Sequence, residues 1–585
     1  MKRFLFFITC MLTLTLAFDF LPEDQNVSDF RFVVIGDRTS SPVEKIFDEI
    51  IDEVCLLNPD YVINVGDLIH GYAEDTTVIL AQWDTVLTIL KKLPCRFHLT
   101  PGNHDIQNET DRRIFEDKSG TNDYYSFDFR DNHFIVLNNT ITQWVSPQEM
   151  DTAQINWLKD DLEMSKHADN IFIFFHVPTY LDAFRNNTPD SLVNLFIRYG
   201  VRAVFAGHNH SYLYLNQGGT DFIVVGSSGG DIGNNDFARG NFFHYLTVTV
   251  KGKECDIAVI KKGNVFQKNI VTGDNYLALA RVDREAVTMT SSLVKEGSKK
   301  FYQSVTLTIS DLGPDSIRQS VQWHYDSTRY RILPQNMLLA IAPDEKKNNQ
   351  FHFTVANGSD IYPLARFTLA YPFTYGKVCT LRNYLPVKRL YKVKLVKVPP
   401  SIDGLLTDEA WKKIVPITNL GNYDGSALTS AEKTEIFLMH DKDDLYLAAR
   451  CYESDFAGMQ ATASEHDGAV YIDDNLWFFF DSDFDQETYY QLMINSKGVT
   501  FDRQCSLKDG NSTKDLSWNG PWEIKAGKED KAWTIELKIP KKGLEPYSEK
   551  QWGFSLRRLQ NRLGDAYWNI PFGHDPKNFG IIEFE

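Results

Sequence analysis

From about Asp29 to Ile270 the chain alternates short apolar runs with longer stretches whose apolar residues recur every three or four positions. Phe32-Val33-Val34-Ile35 predicts a buried strand, and residues 42–57 predict a helix with Ile46, Ile50, Val54 and Leu57 on one face. Tyr61–Val65 predicts the next strand and residues 78–93 the next helix; the alternation returns at 95–99, 134–137, 171–175 and 201–205. Alternating β and α elements imply a layered α/β domain whose helices cover the sheet faces. From about Asn275 the pattern turns to strands, such as Ser304–Ile309 and Phe351–Val355, bounded by turn-rich segments including Gly313-Pro314-Asp315 and Asn357-Gly358-Ser359. Pro399-Pro400 marks a further boundary, after which the chain stays strand-rich. The expectation is a multidomain chain: a leader at 1–18, an α/β layered domain at 29–272, a β-sandwich-like connecting domain at 275–390 and an all-β domain at 395–585.

A chain of 585 residues is too long for one core, which agrees with several domains. Lys and Arg number 61 against 78 Asp and Glu, and the net charge of −17 disfavours nucleic acid as a partner, since phosphate needs a basic face. Met1-Lys2-Arg3 followed by the apolar run Leu5–Ala17 reads as a cleaved secretory signal, so the expected location is exported: periplasmic, cell-surface or secreted. No later stretch reaches 18 uncharged apolar residues, so no transmembrane span is expected after signal removal. The cysteines are scattered without a C-x-x-C pair and do not point to a zinc ribbon or a disulfide scaffold.

Chemistry enters at the strand ends. Phe32–Ile35 runs into Gly36-Asp37-Arg38-Thr39, Tyr61–Val65 into Gly66-Asp67, and Phe97–Thr100 into Pro101-Gly102-Asn103-His104-Asp105. Ile171–Phe175 runs into His176, and Val201–Ala206 into Gly207-His208-Asn209-His210. The carboxyl ends of strands in α/β sheets converge on one crevice, so these groups are expected to meet. Nine of the fourteen histidines fall before residue 270, where a catalytic metal domain would concentrate them. His98, His133, His167 and His244 have no motif around them and read as packed or surface histidines.

These motifs, in this order over residues 30–230, resemble the calcineurin-like metallophosphoesterase superfamily. The resemblance implies a β-sandwich flanked by helices and a centre of two divalent or trivalent metal ions, Mn, Fe or Zn, acting on a phosphoester. Carried over, Asp37 binds the first metal, Asp67 bridges both, Asn103, His176 and His208 complete the second, and His210 returns to the first. His104 then faces the scissile phosphate, with Asp105 orienting its imidazole. Carboxylate, amide oxygen and imidazole suit such ions, and a metal pair activates water and clamps phosphoryl oxygens. The chain departs from the family at its first motif, which usually reads Asp-x-His but here reads Asp37-Arg38-Thr39. His70, three residues after Asp67, is the candidate replacement; the alternative is a plain loop histidine. Arg38 is a candidate for the phosphate, or else forms a surface ion pair.

The opening Val398–Trp411, His440–Leu447 and Asp473–Phe478 resemble carbohydrate-binding module family 9, over about 395–585. The resemblance implies a β-sandwich that stacks sugar rings on aromatic faces. Seven of the eleven tryptophans lie after residue 400, and Trp518, Trp522 and Trp568 stand at turn-rich segments, so these three are the candidate sugar platform. Trp411 and Trp533 read as core. Asp473 and Asp474 read either as a structural calcium site or as a solvated turn. The expected function is an exported metal-dependent phosphoesterase with a glycan-binding C-terminal module. The rival is a catalytically reduced metal- and glycan-binding surface protein, which the retained Gly102-Asn103-His104-Asp105 and Gly207-His208-Asn209-His210 disfavour.

Overall fold

A computed structural model describes residues 29–585 apart from 40–41, 44, 74, 141–149, 234, 299–300, 357–360, 375, 429–431 and 509–510; the leader expected at 1–18 lies outside the described residues. The chain divides into two compact units, residues 1–280 and 281–585. Among the described residues no helix is long and apolar enough to cross a membrane.

In the first unit, β1 (Phe30–Ile35), β2 (Tyr61–Asn64) and β3 (Arg96–His98) are parallel neighbours. Between them run α1 (Ile46–Leu57) and α2 (Thr76–Leu90), and α3 (Glu109–Ser119) leads to the hairpin β4 (Tyr125–Phe129) and β5 (Asn132–Val136). After α4 (Thr152–Met164) come β6 (Asn170–Phe174), α5 (Tyr180–Asn186), α6 (Ser191–Arg198), β7 (Ala203–Ala206), β8 (Leu213–Gln217), β9 (Thr220–Val224), β10 (Tyr245–Lys251), β11 (Glu254–Lys261) and β12 (Asn264–Gln267). They form two six-stranded sheets, ordered β12-β11-β10-β1-β2-β3 and β4-β5-β6-β7-β9-β8.

The alternation along β1 explains the layers. Phe32 and Val34 join Tyr61, Ile63, Phe134, Phe172, Phe174 and Phe205 in one buried cluster contributed by both sheets. Val33 and Ile35 point the other way and pack with Phe47, Ile51 and Val54 of α1 and Trp83 and Val86 of α2. Period-two side chains thus give β1 two buried faces, one toward the opposite sheet and one toward the helices. This is the α/β layered sandwich flanked by helices. Helix starts are set by side chains: Asp75 accepts from Thr77 N, and Asn108 from the backbone N–H groups of Thr110 and Asp111.

The second unit is built of strands. Residues Val287–Met289, Phe301–Ser310, Lys346–Val355 and Tyr330–Leu333 make a four-stranded sheet, beside the hairpins Ile317–Gln322/Asn336–Ile341 and Arg366–Thr374/Lys377–Tyr384. Strict alternation buries Phe367, Leu369 and Tyr371 on one face of their strand. The strand Val387–Leu395 pairs in parallel with Ser292–Lys295, with Gly580–Phe584 and with Thr434–His440, which makes it common property of the unit's early and late strands. Trp533, Trp552 and Trp568 lie in the C-terminal core with Ile436, Leu447 and Phe478.

Trp568 is therefore interior, although its sequence neighbourhood reads as an exposed turn. Its indole is fully buried, Nε1 donates to Glu296 Oε1 at 2.9 Å, and the Arg389 guanidinium lies 5.5 Å from the ring centroid. Trp411 and Trp533 are core as well, each 2% exposed. Asp473 and Asp474 are spent on backbone: Asp473 accepts from the Thr462 and Ala463 amides, and Asp474 from those of Gln460 and Asn561.

Two outcomes are expected. Trp568→Ala removes the indole from a site with no room to collapse, so it destabilises the second unit by about 3–5 kcal/mol in urea unfolding; a loss under about 1 kcal/mol contradicts this packing. His133 on β5 places Nδ1 2.7 Å from Asp128 Oδ1 and Nε2 2.8 Å from Asp161 Oδ2, an arrangement that favours the protonated ring. Burial disfavours that charge, but the two carboxylates outweigh it and raise the group above its ordinary value of 6.5. Its stabilisation is full below that pH and is lost as pH rises through the raised folded value. His133→Asn flattens that part of the stability-against-pH curve, and an unchanged slope refutes the assignment.

Candidate metal centre

Two of the strand-end motifs turn sharply at their ligands. Asp67, His208 and His210 hold φ of 56°, 70° and 51°, left-handed values that non-glycine residues adopt only where surroundings enforce them. Glycines make room for the turns. Gly66 has φ 101°, and a Cβ there would lie 2.5 Å from His176 Nδ1; a Cβ on Gly102 would collide with the Asp67 amide nitrogen and carboxylate.

The result is two clusters that share one carboxylate. Asp67, His176 and His208 form one, Asp37, Asp67 and His210 the other, and within each one ligand atom per residue lies within 4.8 Å of the rest. Asn103 joins the first, its Oδ1 being 3.0 Å from His176 Nε2 and 2.8 Å from His208 Nδ1. Asp67 Oδ2 is 3.1 Å from His176 Nε2, and Asp37 Oδ2 is 3.2 Å from His210 Nε2. The buried Asp37 Oδ1 has no hydrogen-bond partner. Three imidazoles, two carboxylates and an amide oxygen, with a carboxylate oxygen left unpaired, fit a pair of Mn, Fe or Zn ions and contain no thiolate.

The surroundings fix which nitrogens are free. His176 Nδ1–H donates to Val65 O at 2.8 Å and His210 Nδ1–H to Asp231 O, which leaves each Nε2 facing the cluster. Burial alone would lower His176, but the charges of Asp67 and Asp37 raise it to about 9. Burial and the neighbouring His176 push His208 down to about 4. Burial opposes charge on Asp67, yet His176 outweighs it and holds the carboxyl at about 2. Groups driven this far apart in one crevice mark a functional site.

His104 Nδ1–H donates to the His70 carbonyl at 2.7 Å, and its Nε2 is 3.9 Å from Asp67 Oδ2. Asp105 does not take the orienting role expected for it. Its Oδ2 accepts from the Asp67 and Gly102 amides at 2.8 and 2.9 Å, and its Oδ1 from those of Leu68 and Ile69 at 3.0 and 3.2 Å. Burial, and then the Asp67 charge, push that carboxyl up to about 7. His70 belongs to neither cluster among the described residues; its backbone oxygen is what reaches the site, through His104. Arg38 is tied into the fold, its Nη1 donating to Leu68 O at 2.8 Å and its guanidinium 5.6 Å from the Phe47 ring centroid. Thr39, where the family pattern has histidine, is buried and its hydroxyl has no partner. Sequence reading passed over Tyr72, whose hydroxyl lies 3.0 Å from Asn103 Nδ2. In the second unit Trp518 and Trp522 are half-buried, with ring centroids 5.8 Å apart, and Trp522 Nε1 donates to Asp502 Oδ2 at 2.7 Å.

Residues 30–212 match the family described as calcineurin-like phosphoesterase. The first unit carries a calcineurin-like phosphoesterase domain. Residues 402–580 match the family described as carbohydrate family 9 binding domain-like, so the C-terminal part of the second unit is a module of that kind. The human serine/threonine-protein phosphatase CPPED1 is 27% identical over 230 residues, covering 34% of this chain and 69% of the relative. Among solved structures, a dimetal phosphatase from Danio rerio aligns at 14% identity and a TM-score of 0.32, over 41% of this chain and 98% of that one. A family 9 carbohydrate-binding module from Caldicellulosiruptor kristjanssonii in complex with cellotriose aligns at 17% identity and a TM-score of 0.25, over 33% and 93%. The phosphoesterase domain makes the protein a hydrolase acting on ester bonds.

Gly102→Ala is expected to abolish high-affinity Mn²⁺ uptake by displacing Asp67, read as metal content after dialysis. Gly120→Ala, at a φ of 70° but with open space around it, keeps its metal and costs about 1–2 kcal/mol of stability. Normal metal content in the first variant overturns the packing argument.

Proposed function

We propose that the protein is an exported phosphoesterase that hydrolyses a phosphate ester at a two-metal centre and carries a C-terminal module for glycan. The observation that supports it is the sharing of Asp67 by two His/Asp clusters in which His176 and His210 are each pre-set by a backbone carbonyl. Asp37, Asp67 and His210 would hold one ion, and Asp67, Asn103, His176 and His208 the other. Such a pair, when bound, lowers the pKa of a water between the ions and stabilises charge on the phosphoryl oxygens.

The chain's own residues do the rest. The Asp67 carboxylate is kept ionised and immobile, because His104 N–H donates to its Oδ1 at 2.9 Å and its own N–H is held by Asp105. Asp37 Oδ2 accepts from His208 N–H at 2.8 Å, which ties the fifth motif to the first. His104, fixed through Nδ1 by the His70 carbonyl, presents Nε2 toward the cluster, where it can hand a proton to the departing oxygen. Nothing in this arrangement reads the alcohol part of the ester. The phosphatase relative makes phosphoserine and phosphothreonine the first substrates to assay.

For the module, the half-buried pair Trp518 and Trp522 supports a sugar platform, and Trp568 is left out of it because its indole is enclosed. The apolar leader and the family 9 match favour export.

The test is a panel of p-nitrophenyl phosphate, its bis-ester and phosphopeptides after reconstitution with Mn, Fe or Zn. Hydrolysis of at least one member is expected; none, with metal bound, sinks the enzyme reading. His104→Ala should lower kcat by about 10²–10⁴-fold on a phosphopeptide, whose leaving oxygen needs a proton, with metal content retained. The loss should be smaller on p-nitrophenyl phosphate, and equal losses on both refute the acid role. Trp518→Ala should abolish quenching of tryptophan fluorescence by gluco-oligosaccharides, and undiminished quenching removes the platform.

A further inference from the structure

We propose that Tyr72 is a positioning residue of the metal centre, its hydroxyl fixing the Asn103 amide so that Oδ1 faces His176 and His208. The inference rests on the two-metal reading. An amide has two ends of nearly equal shape, one an acceptor and one a double donor, and only the oxygen can bind a cation. Asn103 is 6% exposed, so both ends need partners within the protein. Oδ1 lies between His176 Nε2 and His208 Nδ1, while Nδ2 is 3.0 Å from the Tyr72 hydroxyl, an oxygen that can accept its N–H. Taking that acceptor away deletes a hydrogen bond of the buried amide and loosens one restraint on its rotation.

The same side chain touches the neighbouring functional group. The Tyr72 ring meets the His104 imidazole edge-on, with centroids 4.7 Å apart and planes at 89°. The segment is pressed against residues 103–104 along its length. His70 O accepts from His104 Nδ1–H, and a Cβ on Gly71 would collide with the His104 carbonyl. Tyr72 itself holds a left-handed φ of 51°, so its orientation is imposed by this packing rather than by local preference. A residue that orients a ligand without touching the ion is a general way to tune affinity, and losing one weakens binding about 10–100-fold.

Tyr72→Phe keeps the ring against His104 and deletes only the acceptor. Mn²⁺ titration of the metal-stripped full-length protein by calorimetry is the readout, with the melting temperature of the metal-free protein as the folding control. The expected result is a dissociation constant about 10–100-fold higher for one Mn²⁺, with the metal-free melting temperature unchanged. In an Asn103→Ala background the same substitution should produce no further loss, because no amide remains to be held. Mn²⁺ binding by Tyr72→Phe equal to that of the wild type overturns the proposal, and so does an equal loss in both backgrounds. A wild-type protein that takes up no Mn²⁺, Fe or Zn instead removes the metal reading itself, and the role of Tyr72 with it.

Discussion

Four backbone N–H groups converge on the Asp105 carboxylate, and the geometry of the centre depends on them. The amides of Asp67, Leu68 and Ile69 belong to the loop after β2, and that of Gly102 to the loop after β3. One buried anion therefore binds two loops together and forces the left-handed turn that aims the Asp67 side chain inward. The arrangement is electrostatically tight, since burial and then the Asp67 charge both push the Asp105 carboxyl up to about 7. Hydrogen bonds from the fixed amides of Gly102 and Ile69, together with the nearby His176, work against that rise.

The clasp works because the strands beneath it do not move. β1, β2 and β3 lie in one sheet and β6 and β7 in the other, so donors from two sheets can hold a common ion only if the space between them is rigid. That space is filled with aromatic rings: Phe32 packs edge-on against Phe134 and Phe172, and Phe174 stacks on Phe205 at 5.1 Å. Large flat side chains in fixed rotamers transmit strand position to the loops with little slack. The same rigidity maintains the strained backbone at Asp67, His208 and His210, each of which would cost about 1–3 kcal/mol on its own.

Strand-end motifs were legible from sequence because a parallel sheet delivers every such end to one edge, whatever the loops do. Roles that depend on the path of a loop were not. Asp105 follows His104 in sequence and reads as its partner, yet the chain turns at Gly102 and presents the carboxylate to residues 67–69 instead. His70, which the sequence left open between a replacement ligand and a loop histidine, contributes a backbone oxygen, which every residue type possesses and no motif can reveal. Tyr72 carried no signal at all, since its contact with Asn103 joins two loops 31 positions apart. α1 starts at Ile46, and its buried face keeps Ile50 and Val54 from the spacing but takes Phe47 and Ile51 in place of Ile46 and Leu57.

Trp568 shows the same limit in the second unit, and it also sorts the aromatic residues there. Its neighbours Pro571-Phe572-Gly573 signal a turn, and a turn signals exposure only if nothing distant covers it. Here Glu296, 272 positions earlier, accepts from the indole, and Arg389 lies over the ring with its Nη1 donating to the carbonyls of Asn419 and Trp568. A buried guanidinium needs such partners, and Glu296 pairs with Nη2, so the tryptophan and the glutamate are coupled to the arginine on the strand Val387–Leu395. Tryptophans locked in such a network cannot also serve a soluble ligand. Trp522, by contrast, is half-buried and held by a hydrogen bond from its indole N–H to Asp502, on the strand Thr500–Lys508.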